Sequence, residues 1–85
     1  TYGAAVTALE RAVMANVRSV EARYSLALAY EKSGSKENAI LQLRIADQLA
    51  PDNDTIKSTI SRIEKGIPAQ VEPVVEETEE EAVVQ

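Results

Sequence analysis

Apolar residues return at spacings of three and four in four successive stretches of this chain, and each stretch paints one face of a helix. Over residues 2–16 they are Ala5, Val6, Leu9, Ala12 and Val13. Over 20–33 they are Ala22, Leu26, Ala29 and Tyr30, and over 36–50 they are Ala39, Ile40, Leu43, Ala46 and Leu49. Ile56, Ile60 and Ile63 mark a last, shorter helix over 55–65. The punctuation between them agrees. Gly34 suits the left-handed residue that ends a helix, and Ser35 can cap the next. Pro51 stops the third helix, because proline lacks the N–H that helix continuation requires. Asn53 or Asp54 can cap the fourth, which Gly66 and Pro68 end.

Sliding the chain against itself by 34 residues lays Ala5 on Ala39, Val6 on Ile40, Leu9 on Leu43 and Ala12 on Ala46. The same shift lays Leu26 on Ile60, Ala27 on Ser61 and Ala29 on Ile63. The first helix thus repeats as the third, and the second as the fourth. A period of this length is that of a helix–turn–helix repeat array. Residues 20–53 form one whole unit with half a unit on either side.

Within that unit Leu26, Ala27, Ala29 and Tyr30, then Gly34, then Ala39, Leu43 and Ala46, then Pro51 follow in order. This run resembles the tetratricopeptide repeat, in which large and small residues alternate through a helix pair and a proline closes it. The resemblance implies an all-α fold of antiparallel helix-turn-helix repeats, a solenoid fragment of four helices. Its physical logic stands alone: Ala27, Ala39 and Ala46 let helices approach closely, and Leu26, Tyr30 and Leu43 fill between them. Three positions depart from the pattern. Arg23 and Lys36 stand where an aromatic or large apolar side chain often packs, whereas Tyr2 keeps it; Val17 stands where the preceding unit would carry its proline.

In that family the first helix of each unit lines a concave groove that holds a partner peptide. Carried over by helical phase, the groove face is Glu21, Tyr24, Ser25, Leu28, Glu31 and Lys32. Tyr24 and Leu28, one turn apart, would form the apolar anchor, with the charged residues as rim. The matching positions of the last helix, Thr55, Ser58, Thr59 and Arg62, are polar and suit a solvating cap. One branch of the family grips chaperone C-terminal carboxylates with lysine, arginine and asparagine. Glu21, Ser25 and Leu28 do not supply that clamp.

Composition divides the 85 residues in two. Residues 1–66 carry nine basic and eight acidic side chains, a net +1, and form the expected helical domain. Residues 67–85 carry six glutamates and no basic residue, the source of the total of −5. Such a segment reads as a disordered acidic tail. A near-neutral body without a basic stripe argues against nucleic acid and against an anionic membrane surface. The chain contains no histidine and no cysteine, so imidazole bases and thiolate nucleophiles are absent. The loop Ser33-Gly34-Ser35-Lys36 is too short for a phosphate loop, and Asp52-Asn53-Asp54 reads as turn and cap rather than calcium loop. No catalytic, cofactor or metal residue is expected.

The expected function is a non-catalytic scaffold that binds a protein or peptide. A chain that opens on Thr1 inside a helical pattern reads as a fragment of a longer protein. The face of the first helix would then lack a covering helix, and self-association through it is the alternative expectation. A soluble repeat segment attached to a larger enzyme or membrane protein is the other. Compartment is left open, either cytoplasmic or bacterial envelope.

Overall fold

In the computed structural model, residues 2–67 are described, Tyr2 by its backbone alone. The expected acidic tail lies, from residue 68 on, outside the described residues. Four helices follow one another: α1 (Tyr2–Ala15), α2 (Val20–Lys32), α3 (Lys36–Leu49) and α4 (Asp54–Glu64). Each packs against the next in the chain, most extensively α2 against α3. The described part is all-helical.

The 34-residue period of the sequence returns in backbone detail. Ser19 Oγ accepts from the Ala22 N–H at 3.1 Å and starts α2; Asn53 Oδ1 accepts from the Ile56 N–H at 3.2 Å and starts α4. Both caps satisfy a donor that the first helical turn leaves unpaired. The turns ahead of them also correspond. The Ser19 N–H bonds the Asn16 carbonyl and the Asn53 N–H bonds the Ala50 carbonyl, each at 3.1 Å. Pro51 is the second residue of one turn, where a φ near −65° is wanted, and Val17 is its counterpart. Arg23 answers two of the three departures noted above, its own and that of Val17. Its Nε donates to the Val17 carbonyl at 3.0 Å and its Nη1 to Gln42 Oε1 at 2.8 Å, tying the unstiffened turn and α3 to α2.

Gly34 and Gly66 close α2 and α4 with φ of +92° and +78°. A Cβ at either glycine would meet nothing within 4 Å, so left-handed backbone, not crowding, selects glycine. At the first, the Ser35 N–H bonds the Tyr30 carbonyl at 2.8 Å and the Gly34 N–H bonds the Glu31 carbonyl at 3.1 Å. This paired closure recurs after α4, where the Ile67 and Gly66 N–H groups reach the Arg62 and Ile63 carbonyls, each at 3.0 Å. It also corrects the role expected of Ser35. That residue's backbone is spent on closing α2, its ψ is 70°, and its side chain makes no capping bond to α3.

The core lies around α3. Ala39, Leu43 and Ala46 are fully buried, together with Ala27 of α2 and Ile56 and Ile63 of α4. Leu26 and Ala29 are buried as expected; Ile40, Leu49 and Ile60 are half-buried. On α1 the face read from periodicity is largely uncovered. Val13 is buried, Val6 and Leu9 are half-buried, and Ala5 and Ala12 are exposed. Their period-mates Ala39 and Ala46 lie on α3, which packs against both α2 and α4, whereas α1 packs chiefly against α2.

α1 is held by one polar clamp. The Tyr30 hydroxyl donates to Glu10 Oε2 at 2.6 Å across the α1–α2 interface. That hydrogen bond, then burial, raises the phenol above its usual 10.0. A proton held more tightly in the fold stabilises it fully below the unfolded phenol's pKa of about 10. Above that pH the unfolded chain ionises first, and the contribution drains away as pH passes through the raised folded value. Denaturant midpoints should therefore fall above pH about 10 more steeply than those of Tyr30→Phe. The variant should also be the less stable of the two at neutral pH. Parallel curves would show that the Glu10 bond contributes nothing.

Candidate functional site

The six positions assigned to a groove by helical phase are α2 residues, and their surroundings come from α4. Tyr24 and Leu28 line an open cleft of about 370 Å³ with Asp54, Thr55, Ser58, Thr59 and Arg62. A second, of about 330 Å³, lies between Val20, Glu21, Tyr24 and Ser25 of α2 and Asn53, Thr55 and Ile56. Tyr24 and Thr55 border both, so the two are halves of one trough along α2 and α4. Beyond Leu28 a further recess is bounded by Ala5, Ser25, Ala29 and Lys32. Five of the six assigned residues, all but Glu31, thus border one of these hollows. The contribution of Asp54, Val20 and Ile56 was not expected. Helical phase within α2 could have shown Val20, four residues before Tyr24, but not the two α4 residues, although Asp54 stands one residue before the position that the 34-residue shift pairs with Glu21.

Three of these side chains have duties the sequence does not show. Thr59, expected as a polar surface position, is buried. Its Oγ1 donates to the Thr55 carbonyl at 2.8 Å and lies 3.2 Å from the Tyr24 hydroxyl. Tyr24 in turn is half-buried against the core cluster, so its ring is wall as well as anchor. Truncating it would cost stability, contrary to the expectation for a surface anchor. Glu31 is no solvated rim charge. Both its oxygens accept from Arg62, Nη1 to Oε2 at 2.8 Å and Nη2 to Oε1 at 3.0 Å. Arg62 Nη1 also donates to the Ile67 carbonyl at 2.9 Å. The pair closes one flank of the trough and joins α2 to α4.

Glu21, Ser25 and Lys32 are exposed and Leu28 is half-buried, which leaves them accessible to a partner. The remaining ion pairs, Arg44 with Glu64 and Lys57 with Asp47, each at 2.6 Å, link α3 to α4 outside the trough. Exposed as they are, they contribute little.

Chemically, the trough offers an apolar floor, hydroxyl groups and uneven charge. Among the described residues there is no group of three acidic, histidine or cysteine side chains placed to hold a metal, and no helix is long and apolar enough to cross a membrane. The tetratricopeptide resemblance rests on residue spacing alone, since the chain matches no family model, no curated protein and no solved structure.

Proposed function

We propose that this chain is a non-catalytic interaction module of tetratricopeptide type, and that it holds a peptide or helical segment of a partner protein in the α2–α4 trough. The observation that carries this reading is the trough itself. Two roughly side-by-side helices leave an open, partly apolar channel with Tyr24 and Leu28 accessible from it. An apolar pair flanked by hydroxyl and charged groups is the usual composition of a small peptide-anchoring site. Because Tyr24 shares the core, Ser25 is the better position to probe. It is exposed and borders both the Glu21 half of the trough and the further recess beyond Leu28.

Short random peptides displayed on phage and selected on the immobilised full chain provide ligands for the test. Ser25→Arg should abolish their capture, or weaken it at least about tenfold, the loss typical of an anchor site. Its melting temperature should stay near that of the unchanged chain. Selected peptides that bind the variant equally well would place recognition elsewhere and sink the reading.

A second reading, self-association, draws on a different observation: Ala5 and Ala12 are exposed while the residues one period later are fully buried. A helix of a second copy could cover that face. Sedimentation at several concentrations should then show a dimer that Ala12→Glu dissociates. A monomer at every concentration rules it out.

A further inference from the structure

We propose that the trough selects a basic–apolar peptide, with an apolar side chain against Tyr24 and Leu28 and a neighbouring lysine or arginine facing Glu21 and Asp54. This deepens the peptide-binding reading above and rests on it.

Three ionised side chains border the two halves of the trough: Glu21, Asp54 and Arg62. Arg62 is already committed. Glu31 takes both of its outer nitrogens in a two-pronged pair, and the Ile67 carbonyl takes a further bond. That pair presents no net charge to a ligand. Glu21 and Asp54, by contrast, have no hydrogen bond or ion pair from their side chains among the described residues. Each lies in the first turn of its helix, where the helix dipole favours an anion, so the fold tolerates them without partners. Two anions, one bordering each half of a partly enclosed channel and each in the first turn of its helix, still produce a field that concentrates cations there.

Lys32 borders the further recess beyond Leu28, outside the trough. The surface therefore passes from the two carboxylates, across Tyr24 and Leu28, to a lysine. A bound peptide that carries its cation beside the apolar anchor on the α2 N-terminal side meets the two carboxylates with the right sign and keeps that cation away from Lys32. A peptide with an acidic residue there meets like charge and is rejected. The same field disfavours residues 67–85 of this chain as the occupant, because they hold six glutamates and no basic residue.

The test is the same phage-displayed peptide selection, run in parallel on the full chain and on the Glu21→Gln/Asp54→Asn double variant, with circular dichroism as the check on folding. Peptides from the unchanged chain should be enriched in lysine or arginine next to an apolar residue. That enrichment should vanish on the double variant. A synthetic copy of an enriched peptide should bind the double variant about three- to tenfold more weakly, as expected for two solvent-facing charge pairs. It should also weaken when salt rises from about 50 to about 300 mM. Selected peptides that Ser25→Arg excludes but that show no basic preference would overturn the charge assignment and leave the groove standing. Enrichment of acidic residues would overturn it as well. Peptides indifferent to Ser25→Arg would remove both readings together.

Discussion

Leu43→Ala is expected to cost about 3–4 kcal/mol, and its period-mate Leu9→Ala less than half of that. Leu43 is fully buried, in a cluster with Ala27, Ala39, Ala46, Ile56 and Ile63. Three of these five neighbours are alanines, which have no spare length with which to fill the space a truncated leucine leaves, so the site collapses poorly and the cavity term is large. A domain of this size has about 3–10 kcal/mol of stability in total. The variant should therefore be substantially unfolded at room temperature, or lose most of its denaturant midpoint. Leu9 occupies the same place in the repeat, but it is only half-buried on a helix that packs chiefly against one other. Its truncation removes less contact and opens a notch that water can enter. Equal losses for the two substitutions would mean that α1 is covered in solution, and a concentration-dependent midpoint for Leu9→Ala would identify a second copy as the cover.

The contrast between Leu43 and Leu9 also marks what could be read from the chain and what could not. Helix positions and the α3 core were legible because both follow from local rules: a spacing of three and four, a left-handed glycine at Gly34, a proline at Pro51. The shared face of α2 was legible for the same reason, since helical phase alone places Glu21, Tyr24, Ser25 and Leu28 together, and all four border the trough. Coverage is not a local property. Ala5 and Ala12 carry the same pattern as Ala39 and Ala46, and only the presence of a second packing helix distinguishes them. The duties of Thr59 and Glu31 were hidden for a related reason. Each depends on a partner more than 25 residues away in sequence, with Tyr24 35 and Arg62 31 positions off. Ser19 is a different case. It precedes Ala22 by the spacing of a cap and lies one period ahead of Asn53, so its role was there to be found.

Arg62→Met should cost about 1–3 kcal/mol, more than either exposed ion pair could account for. The Arg62 and Glu31 side chains are 11% and 20% exposed, and their two parallel hydrogen bonds are the strongest geometry available to such a pair. The asymmetry of their positions sharpens the expectation. Arg62 lies in the last turn of α4, where a cation suits the helix dipole. Glu31 lies near the C-terminal end of α2, where an anion does not. Removing Arg62 therefore strands a carboxylate that is poorly solvated and lies at the negative end of the helix dipole. Glu31→Gln leaves an arginine that keeps its bond to the Ile67 carbonyl and its favourable helix end, and it should cost less. The double variant Glu31→Gln/Arg62→Met should recover part of the loss, because no charge is then left without its partner. Urea denaturation of the four proteins gives the coupling energy directly. A coupling near zero, with Arg62→Met no worse than Arg44→Met at the exposed pair, would show that α2 and α4 are held side by side by apolar contact and the Tyr24–Thr59 hydroxyl contact, and that the flank of the trough does not depend on this pair.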